Sequence, residues 1–478
     1  MRRVSEPTVS FPSESTTSTA RTVLADALRK ADPVGARAVE HETAWRRQYL
    51  SHFRRAVEAG IGEASSAHRI AADGLASAYG HFTYGDAPLG EAIGTQPLTQ
   101  AFHTVEVRGE AEPETELTLP YRGERLSGDA LGAQLDDWVA RGVITTSAAD
   151  RVRLVQQHPE WLRLDGETVV VLGAGAEMGP MHALLRWGAD VVALDLPRED
   201  VQERIRQTAS SLAGRVRLPA RIVGGAGSDA GADLLTELPA IAEWLDGIDG
   251  ALVLGNYCYA DGGTHVRLSM AADALGTHLV ERRPDTALAF LATPTDVFAV
   301  PRGEVVAADA AYRAGGAMSR LSRRTVRTLA GGRLLTRNYP PAADPGICDA
   351  LVPQQGPNYA FAKRLQRWRA TAARHDGVRV SLNVAPSTRT RSVVKNKALA
   401  AAYAGAHRFG VEVFDPATSN TLMAALLVHD LKAGAPAEAE PWMDEAAGAC
   451  HGGLWTAAYH PRSALGLAAI LGVGALRG

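Results

Sequence analysis

From Glu167 onward, short apolar runs alternate with amphipathic stretches at helical spacing, and this alternation limits the chain to few folds. The predicted strands are Thr168–Leu172, Asp190–Leu194, Ala220–Val223, Gly250–Leu254, Ala287–Ala292 and Val378–Val384. Between them the spacing predicts helices over Gly179–Trp187, Val201–Leu212, Leu234–Trp244, Leu268–Glu281 and Tyr359–Arg374. Parallel strands need long crossovers, usually helical, so strand–helix alternation implies a parallel sheet with helices on both faces. The expected class is α/β, with a doubly wound parallel sheet.

The first part of the chain reads differently. Residues 20 to about 80 have helical spacing, with Trp45, Tyr49, Phe53 and Val57 four apart on one face. Residues 102–122 alternate in the manner of strands, and Leu131–Val143 and Ala148–Leu162 look helical again. The expected organisation is a flexible polar leader over 1–18, then an additional mainly helical, α+β domain over 19–163 with no recognisable chemistry. A catalytic domain follows over 164–478, with an insertion at about 297–355.

The N-terminus lacks the apolar stretch of a signal peptide. The apolar stretch Ser463–Leu476 is too short to span a bilayer and is predicted to pack on the body. A net charge of −3 gives no bulk reason to expect nucleic acid or an anionic membrane as partner. Cys258, Cys348 and Cys450 form neither a disulfide framework nor a metal-spaced pair, so a reducing, cytoplasmic setting is the default. His265, His278, His451 and His460 show no helix-borne ligand spacing, and no metal site is expected.

Three motifs carry chemistry. Gly173, Gly175 and Gly179, with Met178 among them, lie between a strand and a helix. There backbone can approach a pyrophosphate and a helix N-terminus can face its charge. Glu177 inside this turn is unfavourable to an anion unless it points away. Asp195 closes the next strand, 22 positions beyond Gly173, where a carboxylate binds the ribose 2′-hydroxyl of NAD and repels an added phosphate. Arg198 close by leaves NADP open. Finally, Tyr359 and Lys363 share one helix face. A phenol titrates near 10, and a neighbouring ammonium lowers that value.

In this order the motifs resemble the short-chain dehydrogenase/reductase family over residues ~167–431. The resemblance implies a Rossmann-type sheet, bound NAD(H) or NADP(H), and hydride transfer between an alcohol and a carbonyl on a small molecule. Tyr359 is then the acid/base and Lys363 its partner, also bound to the nicotinamide ribose. The resemblance further implies cofactor contacts from Asp233 and Leu234 after the third strand, and from Gly255 and Asn256 ending the fourth. Pro386, Thr388 and Thr390 follow the sixth strand, where the family holds the nicotinamide carboxamide. The family's serine before the tyrosine is missing, so Thr295 is the preferred carbonyl polariser and Thr293 the other candidate. Asn338–Tyr339 is a further polar pair inside the Arg-rich insertion. The late stretch Pro416–His429 resembles the helix after the substrate loop. The family is often dimeric or tetrameric. Dehydration, epimerisation, acyl reduction or a non-catalytic nucleotide-binding scaffold stay open on the same fold.

Overall fold

The computed structural model describes residues 7–11, 15–96, 101–223, 227–314, 317–434 and 438–474. Its centre is one eight-stranded sheet: β1 (His103–Arg108), β2 (Glu167–Leu172), β3 (Asp190–Leu194), β4 (Arg215–Val223), β5 (Gly227–Ala230), β6 (Ala251–Asn256), β7 (Ala287–Ala292) and β8 (Val380–Val384). The order across the sheet is β5-β4-β3-β2-β6-β7-β8, and off this path β1 also pairs with β4. Every neighbouring pair from β4 through β3, β2, β6 and β7 to β8 is parallel. The added strands β1 and β5 are antiparallel to β4.

Alternation of side chains along each strand feeds two cores. Val170 and Leu172 enter one, Val169 and Val171 the other, and β3 divides its residues in the same way. That is why these strands read as continuous apolar runs: they are buried on both faces. Each fully buried Val or Leu contributes about 1.5–3 kcal/mol, so covering both faces stabilises the sheet strongly.

The cover corrects the expected division into domains. Helices Thr16–Leu28, Trp45–Glu58 and Ala64–His81 share the first core with β2, with the helix Gly263–Arg282 and with the helix Gly356–His375. Helices Gly128–Ala140 and Thr146–Gln157 share the second core with Met181–Arg186, Glu199–Ser211 and Pro416–Lys432. The N-terminal residues thus clad both faces of the sheet rather than enclosing a core of their own. The described part of the expected leader is also built in. Val9 is fully buried, pairs with Tyr84 and donates its N–H to Leu235 O at 2.8 Å. Ser15 caps the helix Thr16–Leu28 through Thr17 N. Residues 1–6 and 12–14 of that leader lie outside the described residues.

Two further differences concern the sheet and its insertion. The third predicted strand is longer than Ala220–Val223, and β5 follows it as an antiparallel return. The insertion is closed at its base by an antiparallel pair, Val297–Val300 with Gly346–Asp349. The C-terminal helix Pro461–Val473 packs on the helix Lys397–Gly405 as expected. The contact is close because Gly405 faces Ala468 and Gly472 faces Ala401, where a Cβ would collide with the opposing carbonyl. No helix among the described residues is long and apolar enough to cross a membrane.

Candidate active site

The glycine turn leaves the C-terminal end of β2. Gly173 has φ +79°, and a side chain there would begin 3.1 Å from the backbone of Tyr257 and Cys258, so the position needs glycine on both counts. The turn winds through Ala176 N to Gly173 O (2.9 Å) and Gly179 N to Ala176 O (3.1 Å). The helix then starts at Met181, after Pro180, two residues later than predicted.

Asp195, at the end of β3, is tied to this turn. Its Oδ2 accepts Gly175 N–H at 2.8 Å and its Oδ1 accepts Leu196 N–H at 2.8 Å. A carboxylate oxygen takes two such bonds, so acceptor capacity is left for a diol. Glu177 points away from the turn: it accepts Arg391 N–H at 2.7 Å and pairs with the Arg391 guanidinium at 3.0 Å. Arg198 is held by Asp200 at 2.9 Å and does not face Asp195 through any described bond. Arg204 is the cation that reaches the turn, 3.5 Å from where a Gly175 side chain would begin. It lies one helical turn beyond Asp200, with no sequence signal to single it out.

The remaining cofactor candidates are spread over the same edge. Ala232 N donates to Asp195 O at 2.9 Å, which brings the segment after β5 beside β3. Asp233 there accepts Leu235 N–H at 2.9 Å in a local turn, and Leu234 is buried. Gly255 leaves room for the Tyr257 ring, and buried Asn256 accepts Cys258 N–H at 3.3 Å. These residues shape the loop that closes on Gly173.

The other half of the candidate site is made of side chains. Tyr359 and Lys363 are one turn apart on the helix Gly356–His375. The Tyr359 phenol is hydrogen-bonded to the Thr293 side chain, and its neighbours are Tyr403, Tyr259 and Asp296. Burial pushes its pKa well above 10, and the Thr293 bond only partly opposes this. Lys363 Nζ donates to Leu291 O on β7 at 3.1 Å and to Gln366 Oε1 at 3.0 Å. Burial pushes its pKa down to about 8. The expected lowering of the phenol by Lys363 is therefore reversed in the polypeptide itself. The ammonium turns to the strand carbonyl, and desolvation dominates both groups.

Thr295, preferred from sequence, accepts a bond from Gln355 Nε2 at 2.7 Å and lies 2.9 Å from the Thr293 hydroxyl. Thr293 is the hydroxyl at Tyr359, and Thr295 stands behind it. Below them Asp296 is fully buried between Arg364 (3.3 Å) and Arg367 (2.8 Å), and Arg367 also binds Glu445 through two 2.6 Å bonds. These cations hold the Asp296 carboxyl below its usual range despite its burial. This network anchors the helix that carries Tyr359, and single-residue motifs gave no sign of it.

Of the loop after β8, Thr388 turns inward. Its hydroxyl donates to Pro386 O at 2.8 Å and lies 2.6 Å from Ser419 Oγ. It secures the loop instead of lining the crevice. Ser387 bonds the Tyr403 phenol, and Thr390 precedes the short helix Arg391–Lys395. Buried Asn338 and Tyr339 bind Leu454 O, Ala457 O and Trp455 O, so that pair serves the insertion's packing. Two residues that sequence reasoning left out of the site stand in it. His265 and Tyr259 pack around Tyr359 with ring centroids 5.4 and 6.2 Å away. Burial and Lys363 push the His265 pKa to about 3, so its imidazole is neutral. Among the described residues no three His, Cys, Asp or Glu side chains gather as a metal site.

No family model, curated protein or solved structure matches this chain.

Proposed function

We propose that the chain is a nicotinamide-dependent oxidoreductase of the short-chain dehydrogenase/reductase kind, acting on the carbonyl of a small molecule. The strand order β4-β3-β2-β6-β7-β8 is that of a Rossmann-type sheet, in which ligands bind at the C-terminal edge where the order reverses. Here the reversal falls between β2 and β6. The observation that carries the reading is what flanks it: the Gly173 turn with Asp195 on one side, and Tyr359 with Thr293 and Lys363 on the other.

The residues present suit such a cofactor. The bare backbone at Gly173 and Gly175 and the nearby Arg204 suit a pyrophosphate, and the spare lone pairs of Asp195 suit ribose hydroxyls. Lys363 Nζ has three donors and two described partners, which leaves one for a ribose oxygen. Bound NAD(H) supplies or accepts the hydride. Tyr359, kept protonated by burial, holds the proton that a reduced carbonyl oxygen needs. Thr293 orients that phenol, and the Asp296–Arg367–Glu445 network fixes its helix. Burial keeps this phenol in the protonated form, the one that reduction draws on and oxidation regenerates.

The test is fluorescence titration with NADH and NADPH, followed by a carbonyl screen with Tyr359→Phe as control. Saturable NADH binding that weakens in Asp195→Ala supports the reading. Binding of neither nucleotide would sink it.

A further inference from the structure

The net charge of −3 conceals a polar distribution. Residues 310–343 contain seven Arg and no Asp or Glu, and residues 380–411 contain five Lys or Arg and again no acid. The rest of the chain then carries 38 Lys and Arg against 53 Asp and Glu. A pole of +12 is set in a body of −15.

The fold places this pole at one end of the crevice. The segment after β8 covers the site: Arg391 holds Glu177 of the glycine turn, and Tyr403 stands beside Tyr359. Its other cations, Arg389, Lys395, Lys397 and Arg408, are exposed and have no acidic partner among the described residues. The Arg-rich segment belongs to the insertion, which leaves the sheet just beyond Thr295 and returns toward Gln355, the partner of Thr295. An aromatic ladder joins the two segments. Phe409 meets Tyr459 at 6.3 Å, Tyr459 meets Tyr312 at 5.8 Å, and Arg323 lies 4.0 Å over Tyr312. Arg324, Arg327 and Arg333 are exposed beside it without an acidic partner among the described residues.

Within the pole, Arg313 and Arg337 share Asp309 and Arg391 holds Glu177, and the seven exposed cations just named are left without an acidic partner among the described residues. A concentration of one sign raises self-repulsion, and at a cleft it gathers ligands of the opposite sign. The cofactor's pyrophosphate does not account for it, because that group belongs at the glycine turn, beside the carboxylate of Asp195. Arginine forks match phosphate and carboxylate oxygens two at a time.

We infer that the substrate is a small anion, carrying phosphate or more than one carboxylate, gathered by this basic rim. The inference rests on the oxidoreductase reading for its word "substrate", and its test is separate from that reading. Tripolyphosphate and citrate are titrated calorimetrically into the full-length protein, with and without saturating NADH, at about 50 and 300 mM salt. The variants are Lys395→Glu/Lys397→Glu and Arg324→Glu/Arg327→Glu, all exposed, with Arg108→Glu on the far edge of the sheet as control. The expected result is binding of at least one anion that weakens tenfold or more in each double variant and in high salt. The control and the NADH affinity stay within twofold. Preference between the two anions tells phosphate from polycarboxylate. Absence of binding, or equal binding by all variants, would overturn the inference. Loss of NADH binding with anion binding intact would instead count against the oxidoreductase reading.

Discussion

The two ends of the crevice are built from different materials. The Gly173 end is largely backbone: a turn with glycine at 173, 175 and 179, Gly175 N–H on Asp195, and a carboxylate still partly open to solvent. The Tyr359 end is side chain, packed under Tyr259, His265 and Tyr403 and supported by a buried ion network. Backbone geometry is set by φ and hydrogen bonds, and it is insensitive to titration. A buried phenol and ammonium take their protonation from desolvation. On the proposed reading the contrast makes binding and chemistry separable: one end is to be broken by sterics, the other by charge.

The largest expected effect tests the reacting end. Tyr359→Phe should lower turnover by roughly 10²–10⁴-fold while NADH affinity changes little. A fall in affinity as large as the fall in turnover would erase the distinction between the ends. Next comes the network beneath. Arg367→Ala strands Glu445 in the interior and leaves Asp296 with Arg364 alone, and a loss of about 3–5 kcal/mol is expected in urea unfolding. An unfolding midpoint like the parent's would show that the network is not needed to seat the helix.

At the opposite end, Gly173→Ala faces a backbone contact and a left-handed φ. A loss of about 1–3 kcal/mol is expected, together with loss of NADH binding, and Tyr359's environment should be unaltered by tyrosine fluorescence. Retained nucleotide affinity would mean that the turn is structural only.

Lys363 gives a pH test. Its folded pKa, about 8, lies below its ordinary 10.5, so between these values the unfolded chain binds the extra proton. Stability from this group therefore rises as pH rises from about 8 to 10.5. Compared with Lys363→Met, the parent should be less stable at pH 7 and should gain on the variant across that window. A pH-independent difference would mean that Lys363 is less desolvated than its packing implies. The smallest effect separates the hydroxyls: Thr293→Ala should reduce turnover more than Thr295→Ala, because only Thr293 bonds the phenol. The reverse order would restore Thr295 as the polarising group.

Much of the sheet was legible beforehand because its signal is local. Val169–Leu172 and Val191–Leu194 are apolar on both faces, and such runs have few alternatives to a buried parallel strand. The glycine turn and the Tyr359–Lys363 face were equally local. The strands β1 and β5 were harder. His103–Arg108 read as a strand, but its partner β4 lies more than 100 residues away, and no short-range pattern names a partner. Tyr403, Arg204 and the Asp296 network were invisible for the same reason, since each acquires its role from a neighbour distant in sequence.

The sequence by itself determined the alternation of strands and helices, the glycine that a tight turn requires, and the uneven placement of charge. These depend on side-chain period, backbone sterics and composition, all of which act over a few residues. Only the tertiary structure decided that the N-terminal residues clad both faces of the sheet, that Thr293 meets the phenol, and that Tyr359 is held protonated. Those outcomes depend on burial and on which groups remain beside a charge once water is removed, and burial is a property of the assembled fold.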